Sequence, residues 1–184
     1  TNTFARKMET PKARAQYMWY NDEMPYTLEN SIRADIAGQV LDMIYLKKIR
    51  EEASAAYSVS AIGRAQLRED KTHSMMLYAI CPMKPEKRQE AVSILEQEVK
   101  DLANTCDASM VTKIKELMLK QADDAVKSNG YWYNVIEMYD KYGIDSHSDY
   151  KKLIEAQTPE TICSFMKEFN KNGNRLGVVM LPAE

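Results

Sequence analysis

The residues best suited to chemistry in this 184-residue sequence are Arg50 and Tyr57, which stand seven positions apart. The hydrophobic pattern predicts that Arg50 closes a long amphipathic helix and that Tyr57 begins an alternating strand. One turn would then present a permanent cation and a phenol, and both can donate hydrogen bonds to an oxygen of a ligand. The spacing alone also fits a structural role, because the helix dipole favours a terminal arginine and strand packing favours a tyrosine.

Other reactive side chains are few and scattered. His73 and His147 are the only histidines, and neither belongs to an H-x-x-E-H motif. Because catalytic zinc takes about three protein ligands, we expect both to be ordinary surface or strand residues. Cys81, Cys106 and Cys163 form neither a disulfide framework nor a C-x-x-C pair, and we interpret them as small buried thiols.

Composition excludes several classes of partner. The sequence has 25 Lys and Arg against 27 Asp and Glu, spread along the chain, which predicts no nucleic-acid stripe and no patch for anionic lipid. No apolar run approaches the roughly 18 residues of a membrane span. The length suits one domain, and we expect residues 1–184 to form it.

The first half of the sequence contains the elements that must position Arg50 and Tyr57. Alternation predicts a strand over residues 12–23, and Thr27 is a suitable cap for a helix that runs to about Glu51. Two further strands are predicted at about 56–67 and 73–82, joined as a hairpin by residues 68–72.

The second half is predicted to be mainly helical. Helices are expected after Pro85, from Ser109 or Thr112 to Val126, over residues 131–142, and after the Thr158 cap; residues 175–181 form a last strand. Adjacent residues on a helix point apart, so we interpret Tyr131, Trp132 and Tyr133 as packing between helices. The order of elements predicts an α+β fold, with a mostly antiparallel sheet of about four strands and helices on one face.

Several of these segments together resemble the pitrilysin/insulinase family of zinc metallopeptidases, of the bacterial zinc protease type. The resemblance covers nearly the whole chain and rests on the order and spacing of the following pieces: Ile49-Arg50-Glu51, Tyr57-x-Val59, Pro85-Glu86-Lys87, Asn129-Gly130-Tyr131-Trp132, Thr158-Pro159-Glu160 and Gly177 to Pro182. In the non-catalytic half of that family, an Arg-Glu segment and a Tyr-x-Val segment have this spacing. One departure is Ser54, where the family often has glycine, so the local turn and the approach of Tyr57 are expected to differ.

The resemblance implies a non-catalytic, C-terminal domain of a larger peptidase. Such a domain closes the chamber, and Arg50 and Tyr57 would contact a peptide or unfolded polypeptide near a zinc ion that the catalytic H-x-x-E-H domain holds. That catalytic domain would lie on the same polypeptide or on a partner subunit. This chain alone would hold no zinc and would be inactive, and the absence of an initial methionine is what an excised fragment would show. The resemblance favours the periplasm, with the cytoplasm as the alternative.

Two other interpretations stay open. The same fold could serve as a degenerate scaffold that acts only in protein–protein interaction, in which case Arg50 and Tyr57 would be buried. An independent enzyme would instead require a pocket that contains a histidine or cysteine with a perturbed pKa.

Overall fold

The alternating sequence of the central strand determines which of its side chains are buried. In β2 (Ala13–Asn21), the alternate residues Ala13, Ala15, Tyr17 and Trp19 are buried, whereas Arg14 and Gln16 are exposed. The computed structural model describes residues 1–183, and β2 lies at the centre of its five-stranded sheet. Helices cover the face that carries the buried residues, and on the other face the residues of β2 are exposed or half-buried.

The sheet has the order β1-β5-β2-β4-β3. Its other strands are β1 (Asn2–Arg6), β3 (Ser60–Leu67), β4 (His73–Met83) and β5 (Asn174–Pro182). All neighbouring pairs are antiparallel except β1 and β5, which are parallel. The predicted α+β class is therefore confirmed, with one more strand than expected, because β1 was not predicted.

Six α-helices occur within residues 1–183. They are α1 (Leu28–Tyr45), α2 (Arg88–Asp101), α3 (Ala108–Ala125), α4 (Asn129–Tyr142), α5 (Tyr150–Glu155) and α6 (Pro159–Lys171). Thr27 and Thr158 cap α1 and α6 as predicted, and Gly143 ends α4 with φ 68°. The predicted start of α3 was wrong: Asp107 caps that helix, because its carboxylate accepts from the backbone N–H groups of Ser109 and Met110.

Buried polar contacts hold these layers in register. The Tyr45 hydroxyl donates to the Leu95 carbonyl oxygen at 2.8 Å and joins α1 to α2. The Asn21 side chain donates to the Phe169 carbonyl oxygen at 3.0 Å, while its own oxygen accepts from the Met24 N–H group. The end of β2 is thereby tied to the end of α6.

The closest contact between layers joins α1 to β3. A Cβ atom built on Gly38 would lie 1.9 Å from the Gly63 backbone nitrogen, and one built on Gly63 would lie 1.7 Å from the Ala34 carbonyl oxygen. Only glycine at both positions permits this approach. The packing of α1 on β3 therefore fixes both ends of the segment between them, which contains Arg50 and Tyr57.

Candidate functional site

Arg50 lies on a wide helical turn at the end of α1. The helix does not stop at Tyr45 but continues as a π-helix, Leu46–Glu52, in which Ile49 is fully buried and Arg50 is exposed. The prediction that the helix reaches about Glu51 is thus confirmed, although its last turns are wider than an α-helix. Such π-helical turns are rare and often occur at functional sites.

A tight loop then reverses the chain. The Ala55 N–H group donates to the Ile49 carbonyl oxygen at 2.9 Å, so that residues 50–54 form a closed loop whose two ends are buried. Ser54 adopts φ 49°, in the left-handed region that favours glycine. The turn therefore has the backbone conformation that glycine adopts easily, although the sequence places a serine there.

Tyr57 is not in a strand, and this prediction was wrong: β3 begins at Ser60, and only Ala56 makes an isolated bridge, to Met83. The Ala55 carbonyl oxygen also accepts from the Lys84 N–H group at 3.0 Å. The chain after the loop is thereby attached to the end of β4. Tyr57 projects from this attached segment, and 84% of its surface is exposed. Tyr57 nevertheless fits an alternating pattern in the sequence, because the residues two positions before and after it, Ala55 and Val59, are buried.

A groove lies beside Tyr57 at this end of the sheet. Its volume is about 480 Å³, and Lys12, Tyr57, Met83, Lys84 and Glu86 contribute to its walls. The Lys84 ammonium lies 5.9 Å from the centre of the Tyr57 ring, a cation–π distance. Arg50 is not part of the groove wall. The groove adjoins Tyr57 only.

The hydrogen-bond donors of the Arg50 and Tyr57 side chains are not used within the described part of the chain. Within residues 1–183, the Arg50 guanidinium makes no ion pair or hydrogen bond, and neither does the Tyr57 hydroxyl. Sequence reasoning missed Lys12 and Lys84, because they approach Tyr57 only through the pairing of β2 with β4.

Neither histidine lines the groove beside Tyr57. His73 begins β4, whereas His147 precedes α5 and its Nδ1 atom lies 2.7 Å from the Tyr131 hydroxyl. In the part of the chain that the structure describes, no three His, Cys, Asp or Glu side chains are placed to hold a metal ion. These residues do not fit a zinc site.

The cysteines are not activated. Burial raises the pKa of Cys81 to about 12. Burial also raises the pKa of Cys106 to about 12, with a smaller contribution from nearby Cys163. Because the thiolate is the reactive form, these environments oppose a nucleophilic role.

The aromatic cluster of α4 was interpreted only partly correctly. Tyr131 and Trp132 pack with the His147 ring, whose centre lies 4.9 Å from that of Trp132. Tyr133 does not pack between helices, since it is 65% exposed. The signal that could have revealed this is the spacing of Trp132, Ile136 and Tyr139, which places a second apolar stripe on α4.

Solved structures match the whole chain. The periplasmic protease PqqL from Escherichia coli matches 100% of this chain with a TM-score of 0.78 and 22% identity. The ferredoxin protease FusC, in complex with Arabidopsis ferredoxin, matches 100% with a TM-score of 0.79 and 20% identity. The chain spans 20% of the length of each of these two proteins.

The inactive peptidase domains decide the fold. One match is the inactive peptidase domain of a protein from Bordetella parapertussis that is described as a zinc protease. The match covers 97% of this chain and 95% of that domain, with a TM-score of 0.73 and 10% identity. A peptidase M16 inactive domain from Pseudomonas fluorescens also matches, with a TM-score of 0.69. The chain has the M16 peptidase fold.

The first half of PqqL is also similar to this chain. The first half of PqqL alone matches 98% of this chain with a TM-score of 0.65 and 12% identity. The TM-score and the identity are both lower than in the match to whole PqqL. In sequence, by contrast, no family model and no curated protein matches the chain. Within residues 1–183, no helix is both long and apolar enough to cross a membrane.

Proposed function

We propose that this chain is the non-catalytic half of a zinc metalloendopeptidase. The observation that carries the proposal is the correspondence, over nearly the full length of both chains, with a domain described as an inactive peptidase domain. The better agreement with whole PqqL than with its first half supports a position in the second half of such a protein. The periplasmic location of PqqL supports the same compartment for this chain.

Arg50 and Tyr57 are the residues proposed to contact the peptide. Both side chains are exposed, and their hydrogen-bond donors have no acceptor within residues 1–183, which supports this role over burial in a scaffold. A peptide bound to the catalytic half as an added strand still has carbonyl groups that face outward. The guanidinium and the phenol would each donate a hydrogen bond to such a carbonyl. The zinc ion would supply the activated water, and it would be held by the catalytic domain.

The test uses the complete enzyme, in which this chain is combined with its catalytic domain. If each donor stabilises a carbonyl that gains negative charge, Arg50→Ala or Tyr57→Phe should cost about 1.5–3 kcal/mol. This corresponds to roughly ten- to hundredfold in kcat/KM. Lys47→Ala is the matched control, because Lys47 is an exposed cation on the same π-helix and should leave peptide turnover unchanged.

Stability distinguishes a lost contact from a damaged fold. Both side chains are exposed, so neither variant should change Tm. Tyr57→Phe removes only the hydroxyl and keeps the ring beside Lys84. Full activity of both variants would reject substrate contact and favour the alternative, a degenerate scaffold or partner subunit of the same fold.

A further inference from the structure

Helix α4 contains apolar residues on two sides but buries none of them. Eight of its 14 residues are aromatic or apolar, and no residue of the helix is buried. A helix that is apolar on several sides normally lies inside a protein or an interface. The exposed side of α4 therefore lacks the partner that its composition suits.

The two sides of the helix differ in their surroundings. Tyr131, Val135, Met138 and Tyr142 are half-buried and face the domain. Trp132, Tyr133, Ile136 and Tyr139 are exposed by 40%, 65%, 65% and 66%. These four residues, together with Asp140 at their flank, are called the outer stripe below.

The outer stripe is symmetric in sequence about Ile136. At about 100° per residue, Trp132 and Tyr139 lie on one flank of Ile136, whereas Tyr133 and Asp140 lie on the other. Trp132 precedes Ile136 by four positions, and Tyr139 follows it by three. Tyr133 precedes Ile136 by three positions, and Asp140 follows it by four. A two-fold axis at Ile136 would bring Trp132 of one copy to Tyr139 of the second copy. It would likewise bring Tyr133 to the second copy's Asp140.

These pairs are chemically complementary. Two aromatic rings attract each other in stacked or edge-to-face contact, and a tyrosine hydroxyl donates to a carboxylate in a charge-assisted hydrogen bond. Asp140 makes no ion pair within residues 1–183. The antiparallel arrangement would also bring Asp140 near the N-terminal turn of the second copy's α4, which the Ser128 side chain does not cap. The dipole at that end favours a carboxylate.

We propose that the outer stripe of α4 is a homodimer surface, with a second copy of this chain as its occupant. A membrane suits it less, since α4 carries Glu137 and Asp140 against one basic residue, Lys141. Aromatic side chains bury about 150–250 Å² each. The stripe would therefore contribute roughly 500 Å² per copy, near the lower limit of a specific interface. The dimer is weak and depends on concentration, and it does not depend on the proposed peptidase function.

The experiment is sedimentation of the 184-residue chain over a wide concentration range. The mass should rise from 21.1 kDa towards twice that value. Ile136→Asp places two carboxylates at the axis and should weaken dimerisation at least tenfold. Leu117→Asp is the matched control, because Leu117 is 47% exposed on α3 and outside the stripe, and it should leave dimerisation unchanged.

A charge exchange tests the antiparallel register. Tyr133→Glu alone should weaken the dimer, because it opposes the second copy's Asp140, and Asp140→Lys alone should weaken it by removing the acceptor. The double variant Tyr133→Glu with Asp140→Lys should recover most of the lost association. The two positions are seven residues apart on one helix, so this rescue requires two copies. A chain that stays monomeric at millimolar concentration, a dimer that tolerates Ile136→Asp, or failure of the rescue would each overturn the proposal.

Discussion

Ser54 is the residue at which backbone geometry and side-chain type disagree. Its φ of 49° lies in the left-handed region, where a side chain costs about 1–2 kcal/mol. Ser54 lies in the loop that begins at Arg50 and is closed by the hydrogen bond from the Ala55 N–H group to the Ile49 carbonyl oxygen. Serine at position 54, where the family that the chain resembles often has glycine, therefore lowers the stability of the fold but keeps the left-handed turn.

Replacing Ser54 with glycine should stabilise the chain. Glycine removes the left-handed strain but loses about 0.5–1 kcal/mol to the entropy of the unfolded state, so we expect a net gain of about 0.5 kcal/mol. Ser58→Gly is the control, because Ser58 does not have a positive φ and should lose stability. Urea unfolding measures both. A loss of stability in Ser54→Gly as large as that in Ser58→Gly would show that Ser54 is not strained.

The candidate site could be predicted from sequence only where it is local. Arg50 was located at the end of a helix because the apolar stripe of α1 continues to Ile49. The alternation of Tyr57, Val59 and Ala61 with two serines predicts a strand at Tyr57. In the structure this segment makes only an isolated bridge, from Ala56 to Met83. The groove could not be predicted, because it joins residues 10–13 to residues 82–86 through the register of the sheet.

At the scale of elements, the contact of α1 with β3 is the most sensitive to substitution. Gly38→Ala or Gly63→Ala would place a methyl group against backbone atoms, which cannot move as a flexible side chain can. We expect each variant to lose about 3 kcal/mol in the free energy of unfolding, the upper part of the range for overpacked cores.

The matched control for this prediction is Gly130→Ala in α4. Its added methyl group would meet only the Ser128 hydroxyl at 3.5 Å, an ordinary contact. Helix propensity should then raise stability by up to about 1 kcal/mol. Equal effects of Gly38→Ala and Gly130→Ala in thermal unfolding would refute the close approach of α1 and β3.

The elements that the sequence revealed are those with one buried face. β2, α1 and α6 have regular patterns of buried residues, and each was predicted within a few positions. β1 has no buried residue, so its side chains carry no alternation. α5 is six residues long, too short for its apolar period to be recognised.

At the scale of the whole molecule, the purified chain should hold no zinc. His73 lies in β4 and His147 in the loop before α5, and the described residues offer no group of three ligands. Elemental analysis after dialysis against a weak chelator should find far less than one zinc per chain, and a peptide assay should find no cleavage. One retained equivalent of zinc would overturn the assignment as a non-catalytic half.

The two ends of the described chain meet at one edge of the sheet. β1 pairs with β5 in parallel, from Asn2 with Val178 to Arg6 with Pro182, and it has no buried side chain. It is retained mainly by backbone hydrogen bonds to β5, so it should open locally at little cost in free energy. In native-state hydrogen exchange, amides of β1 should exchange fastest among the strands and those of β2 slowest. Equal protection of both strands would contradict this.

Each opening of β1 has a kinetic consequence for β5. While β1 is detached, β5 presents unpaired N–H and C=O groups along an apolar run that includes Leu176, Val178 and Met180. An exposed strand of this kind accepts any extended segment that reaches it before the original strand returns. We therefore expect slow rebinding of β1 to favour edge-to-edge association of the purified protein.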